Sequence, residues 1–176
     1  MLFADDTVAS MAAAVELVNS AEVPDTMTEI AQLDEFFDRH RYSGDRTRDA
    51  GELTAVRAQR APLRRLLTAD RDTAVGLVND ILAAHRAVPR LVRHDNLDYH
   101  VHAVPSNAPL DVRIAVETAM AMIDLIRADE LTRLSICADD TCEGIVLDLS
   151  RNRSRRYCST ACGNRNAVAA YRARQK

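Results

Sequence analysis

Tryptophan is absent from this 176-residue chain, and glycine occurs only five times. With Ala, Leu, Val and Arg abundant instead, intrinsic propensity favours helix over sheet. No apolar run approaches the roughly 18 to 20 residues that a membrane span needs, which argues against membrane insertion. The stretch from Met1 to Ser20 lacks the basic start, apolar run and small-residue cleavage site of a secretory signal, so the expected compartment is the reducing cytoplasm. No Ser/His/Asp or Cys/His arrangement can be assembled with any specificity, and no enzyme chemistry is expected. Internal repeats and low-complexity linkers are also missing. What is present, 47% hydrophobic and 28% charged residues, places the chain among globular proteins of one domain, or one domain with a small appendage.

One end lacks acidic residues altogether. Arg151 to Lys176 holds eight basic residues and no acidic one, whereas Met1 to Ser150 holds 15 basic and 26 acidic, so the overall net charge of −3 conceals a division. A concentrated positive end on an acidic body is what binding a polyanion requires, and the acidic body limits indiscriminate adhesion. A solvated basic tail is the plainer reading of the same charges.

Cysteine is confined to the last 40 residues, as Cys137, Cys142, Cys158 and Cys162. The spacing is Cys-x4-Cys, a gap of 15 residues, then Cys-x3-Cys. Two short turns separated by the length of a hairpin suit one tetrahedral Zn2+ bound by four thiolates. Two disulfides in a secreted domain are the alternative, and the missing signal argues against them. About 40 residues with eight or so large apolar side chains cannot bury enough surface to fold unaided, and structural zinc supplies on the order of 10 kcal/mol. A four-thiolate zinc has no open position for water, so the expected metal is structural, not catalytic. With zinc bound, the basic end keeps about +6 of its charge.

The first two-thirds reads as helix. Thr7 is expected to cap a helix to about Asn19, with Val8, Met11, Val15 and Val18 on one face. Thr26 and Glu29 read as a capping box ahead of Ile30, Leu33, Phe36 and Phe37. Leu53, Val56, Leu63, Leu66 and Leu67 mark a third helix that Pro62 should kink or break. Asp72 opens a fourth, carrying Val75, Val78, Ile81 and Leu82. Two short strands, Arg90 to Arg93 and Leu97 to Val104, follow around a turn at His94, Asp95 and Asn96. Pro109 then starts the longest helix, Leu110 to Asp129, apolar on most sides and expected at the centre. His100 and His102 share a strand face, with His94 in the adjoining turn. Such a trio suits a metal or an anion, but polar residues on the solvent side of a hairpin explain it as well.

The end of the chain reads as a turn at Cys137 to Cys142, a strand from Ile145 to Leu149, a turn at Ser150 to Arg153, a return strand at Arg155 to Tyr157, and a helix from Cys158. Cysteines four apart on a helix share a face. Turn, hairpin and ligand-bearing helix come in treble-clef order.

At Cys162, Gly163, Asn164 and Arg165 the chain resembles the CGNR zinc-finger family, and the likeness extends to Leu147 to Asn152 and Arg155 to Ser159. The helical part, including Ala14 to Ser20, is similar to the ABATE domain that precedes such fingers in bacterial regulators of transcription. The resemblance implies a mainly α protein, α+β overall. A helical domain with a small hairpin is expected over 1–130 and a treble-clef-like zinc finger over 131–176. It further implies a cytoplasmic regulator that binds double-stranded DNA through the finger, while the helical body senses a signal or forms a homodimer. A small-molecule effector is compatible with that reading but has no support in the sequence. Gly163 is a position for close approach, and Asn164 is assigned to hydrogen-bonding the zinc thiolates. Arg165 suits either that role or nucleic-acid contact. Arg151, Arg153, Arg155, Arg156, Arg172, Arg174 and Lys176 are assigned to phosphate contact. A zinc-stabilised protein-interaction module and an RNA-binding factor are the rival readings.

Overall fold

Seven helices and two short hairpins make up residues 3–93 and 98–175, which are those the computed structural model describes. The helices are α1 (Asp5–Asn19), α2 (Ile30–Arg39), α3 (Ala50–Ala58), α4 (Arg60–Leu67), α5 (Arg71–Ala84), α6 (Leu110–Arg127) and α7 (Thr160–Ala173). Strand β1 (Arg90–Val92) pairs antiparallel with β2 (His100–His102), and β3 (Leu134–Ile136) with β4 (Ile145–Leu147). The expected turn at His94, Asp95 and Asn96, the start of its second strand at Leu97, and Lys176 lie outside the described residues. The protein is mainly helical, as its composition indicates. Among the described residues, no helix is long and apolar enough to cross a membrane.

Helix α6 is the spine. Ile114, Val116, Ala119 and Met122 are wholly buried, because α1 and α5 both pack on it. Arg113 is buried in the same helix and donates to the backbone carbonyls of Ser43 and, at 2.5 Å, Asp45. Gly44 makes this approach possible. Its φ is +93°, and a Cβ there would lie 2.2 Å from the Ser106 carbonyl oxygen.

Several helix starts differ from the sequence expectation. Helix α1 begins at Asp5 with Ala4 as its N-cap, so Thr7 lies inside it. The Thr7 hydroxyl is instead buried and donates to Asp124 at 2.5 Å, tying α1 to α6. The capping box belongs to Glu29 and Gln32, not Thr26 and Glu29, and Gln32 Oε1 accepts from the Glu29 amide at 2.9 Å. Asp70 rather than Asp72 caps α5, accepting from the Thr73 amide at 3.0 Å. In α2 and α5 another side-chain oxygen takes the first-turn amides, whereas α1 starts from Ala4 with no side-chain cap. The third helix is broken as expected: α3 stops at Ala58, whose carbonyl the ring of Pro62 would otherwise crowd, and α4 resumes at Arg60.

The second hairpin is a correction. Strand β4 pairs with β3, in the register Leu134↔Leu147 and Ile136↔Ile145, and Arg155 to Tyr157 forms no strand. The buried carboxylate of Asp148 captures the backbone that a ladder would have used, accepting from Ser150 N at 2.8 Å and Arg155 N at 2.6 Å. Those amides favour the ionised form, and the Asp148 carboxyl is held below the usual carboxylate range, with the Ser150 side chain contributing most.

Strand β4 is buried on both faces. Ile145 and Leu147 join the core of the helical body, while Val146 packs beneath Cys137 and Cys162 in a separate small cluster. The period-2 alternation of one three-residue strand thus joins the metal end of the chain to the helices.

Candidate metal centre

Three hydrogen bonds bring the four cysteines together. Cys137 and Gly144 close the first turn, Cys137 N donating to Gly144 O at 2.8 Å. Ala138 N donates to Arg156 O at 2.9 Å, drawing in the segment that carries Cys158. Ser159 caps α7, its hydroxyl accepting from Cys162 N at 3.3 Å, which places Cys162 in the first helical turn.

The sulfurs all lie within 4.8 Å of one another, with Cys142 to Cys158 at 3.5 Å and Cys158 to Cys162 at 3.7 Å. A zinc ion holding thiolates at about 2.3 Å in a tetrahedron sets neighbouring sulfurs about 3.8 Å apart, so the donor set and its size fit one structural zinc. Disulfide spacing is far shorter, and all four cysteines are free.

Polar groups surround the sulfurs. Gly144 N points at Cys142 Sγ (3.4 Å), Cys158 N at Cys137 Sγ (3.4 Å), and the Ser159 hydroxyl at Cys162 Sγ (3.4 Å). Each donor disperses thiolate charge. The Ser159 hydroxyl pulls the Cys162 thiol down to about 7, while burial pushes Cys158 up. A Cβ on Gly144 would lie 2.8 Å from Cys158 Sγ and 3.3 Å from Cys142 Sγ, so the missing side chain leaves room for the cluster.

These features meet a family match. The CGNR zinc-finger model matches residues 133–175, and the ABATE model, described as "putative stress-induced transcription regulator", matches residues 11–129. The chain belongs to the ABATE family and carries a CGNR zinc finger. Among the curated proteins, none matches it. In this ABATE protein the four cysteines are therefore the donors of one structural zinc.

The CGNR residues are placed unequally. Arg165 Nη2 donates to Cys162 Sγ at 3.1 Å, and its Nε donates to Asp139 at 3.0 Å. Asp139 is buried in the first knuckle, and its carboxyl is lowered chiefly by hydrogen bonds from Thr141, with Arg165 adding to them. Asn164 is exposed, and its side chain makes no hydrogen bond among the described residues. The next residue, Asn166, reaches back instead, its Nδ2 donating to Cys162 O at 3.0 Å. A Cβ on Gly163 would meet Tyr157 at an ordinary 3.6 Å. Sequence reasoning missed Asp139, Asn166 and Gly144. Only the Asp-x-Thr pattern of Asp139, a common turn signal, hinted at any of them.

The basic residues divide into two groups. Arg155 donates to the carbonyls of Cys158 (3.0 Å), Tyr157 (3.3 Å) and Leu147 (3.4 Å), bracing the loop that delivers Cys158. Arg153 pairs with Glu130 at 2.8 Å and Thr132 at 3.1 Å. Arg151, Arg156, Arg172 and Arg174 are exposed, with no carboxylate partner among the described residues, and Arg156 lies over the Tyr157 ring at 5.9 Å. Helix α7 buries little beyond its first turn, so its remaining length stands in solvent.

Proposed function

We propose that this protein is a cytoplasmic, zinc-dependent regulator of transcription that binds double-stranded DNA through residues 131–176, with residues 1–130 sensing a signal or forming a homodimer. Four arginines carry this reading. Arg151 and Arg156 on the loop and Arg172 and Arg174 on α7 are exposed cations without acidic partners among the described residues, on a segment free of acidic residues. Phosphate contact needs unpaired guanidinium groups on a rigid support, and the metal cluster and the Arg155 brace supply the support. Arg153, Arg155 and Arg165 already hold protein atoms and suit positioning better than phosphate contact.

The test is a fluorescence titration of the zinc-loaded chain with duplex DNA across salt concentrations. Four neutralised phosphates give a log-log slope of roughly −4. Replacing Arg151, Arg156, Arg172 and Arg174 by Ala should abolish that slope while zinc content stays at one equivalent. Absence of duplex binding at low salt, with zinc confirmed, would sink the proposal.

Val168 and Tyr171 favour a second reading. Both are exposed, at 48% and 57%, and stand three apart on α7 beside the free arginines. A half-apolar, basic helix face suits docking on an acidic protein as well as on DNA. A protein partner that survives excess DNA, or a preference for RNA over duplex, would select the alternatives.

A further inference from the structure

The hairpin of β1 and β2 is turned inside out. An antiparallel pair on a protein surface normally packs its apolar face on the core and gives its polar face to water. Here His102 lies against the Glu117 carboxylate of α6 at 3.9 Å, and Arg90 and His100 share that face by the strand period. The opposite face carries Leu91 and Val101, with Tyr99 two residues before Val101. Leu91 is 71% exposed and Tyr99 67%, and the Arg93 guanidinium lies 5.8 Å from the centre of the Tyr99 ring.

The edge beside this face is open. Leu91 stands opposite Val101 in the ladder, and Val101 N donates away from it, to Asp6 of α1 at 3.1 Å. The two residues therefore form a non-hydrogen-bonded pair, in which both turn their N–H and C=O outward. The Leu91 amide and carbonyl face the outer edge of β1, where the described residues provide no partner for them. A donor and an acceptor on one residue are satisfied reciprocally by the same residue of an antiparallel copy, which is the contact a two-fold axis makes.

We propose that β1 pairs antiparallel with β1 of a second copy about a two-fold axis at Leu91, forming a four-stranded sheet across a homodimer. This surface rests on the homodimer arm of the function proposed above and gives it a location. Each Leu91 N–H donates to the other Leu91 carbonyl, and the two leucine side chains meet on the apolar face. A pairing centred on Val92 instead would set Leu91 against the charged Arg93 of the other copy. Pro89 has no amide and shortens the ladder on one side. On the far edge of β2, Asp6 already holds the Val101 amide, so the sheet ends at four strands. Arg90 and Arg93 of both copies bring like charges near the axis, so added salt should tighten the contact.

The experiment is sedimentation velocity on the full-length, zinc-loaded chain without DNA, from low micromolar to sub-millimolar concentration. A shift from monomer to dimer is expected, and it should persist at about 1 M salt, where the Debye length is about 3 Å. Leu91→Pro removes the outward amide without touching the β1–β2 hydrogen bonds, and Leu91→Lys charges the apolar face. Each should weaken dimerisation at least about tenfold, with zinc content and helical circular dichroism unchanged. Leu91→Lys and Tyr99→Ser stand in if the proline variant does not fold. Ile136→Lys, at an exposed position on β3, should leave the dimer intact. A parent chain that stays monomeric overturns both this surface and the homodimer arm, while DNA binding by the finger stands or falls separately. A dimer that survives the Leu91 variants, that Ile136→Lys dissolves, or that high salt disperses overturns the surface alone; dispersal by salt would point to the basic end of one copy on the acidic body of another.

Discussion

Asn19, the last residue of α1, forms a two-way pair with the backbone of Ile145. Its Oδ1 accepts from Ile145 N at 2.6 Å and its Nδ2 donates to Ile145 O at 2.8 Å. One amide side chain thus satisfies the donor and acceptor that β4 turns toward the helices. Asn19→Ala should leave both buried groups unpaired and lower stability by about 2 kcal/mol or more. Thermal denaturation measures the loss, and hydrogen exchange at the Ile145 amide should quicken. An unchanged melting temperature would show that water replaces the asparagine without cost.

Two glycines beside the metal should respond oppositely to alanine. At Gly144 the new Cβ would press on Cys158 Sγ at 2.8 Å, so Gly144→Ala should lower zinc affinity at least tenfold. At Gly163, within α7, the new Cβ has ordinary space, and Gly163→Ala should be neutral or stabilise by about 0.5–1 kcal/mol through helix propensity. Chelator competition on the two purified variants decides it, and equal zinc affinities would contradict the packing described for Gly144.

Arg165 bridges Cys162 Sγ and Asp139. Arg165→Ala should speed zinc release to a chelator by about 10- to 100-fold, and Asp139→Asn should do so to a lesser degree by freeing the guanidinium. Release at the parental rate in both would remove this pair from any role at the metal. Comparing DNA titrations of the same variants, under conditions where zinc is still bound, shows whether Arg165 also meets phosphate.

Glu117 makes stability depend on pH in a direction opposite to that of most carboxylates. Burial raises its folded-state pKa from 4.5 to about 7. A raised carboxyl contributes its full stability below the unfolded value and loses it as pH rises through the folded value. Between these limits the folded state should lose about 3 kcal/mol, at 1.36 kcal/mol per unit of differential ionisation. Urea midpoints of parent and Glu117→Gln, measured from pH 4.5 to 8, should diverge, with the Gln variant falling less. Parallel curves would mean that Glu117 is ionised throughout.

Helix existence was legible wherever apolar residues recur at three and four, and the Pro62 break followed from a ring that cannot fit an α-helix. Helix starts were less legible. Thr7 and Asp72 have the right chemistry for a cap, but so do neighbouring residues, and only the fold sends the Thr7 hydroxyl to Asp124, 117 residues away. The second hairpin was misread for a similar reason. Arg155 to Tyr157 has an acceptable strand composition, yet its first amide is captured by Asp148, a side-chain competitor that strand periodicity does not register.

The cysteine spacing and the charge division are properties of the chain itself: ligand chemistry restricts what four closely placed thiols can bind, and charge is counted, not folded. Which arginines are free is decided only in three dimensions. Arg155 and Arg156 are neighbours of the same type, yet Arg155 holds three carbonyls and Arg156 faces solvent over Tyr157. Long-range packing supplies the hydrogen-bond partners, and a guanidinium paired with protein carbonyls has fewer donors to offer a phosphate. The same holds for the histidines of β2, whose shared face follows from strand period, while the carboxylate behind His102 comes from a helix that tertiary packing brings alongside.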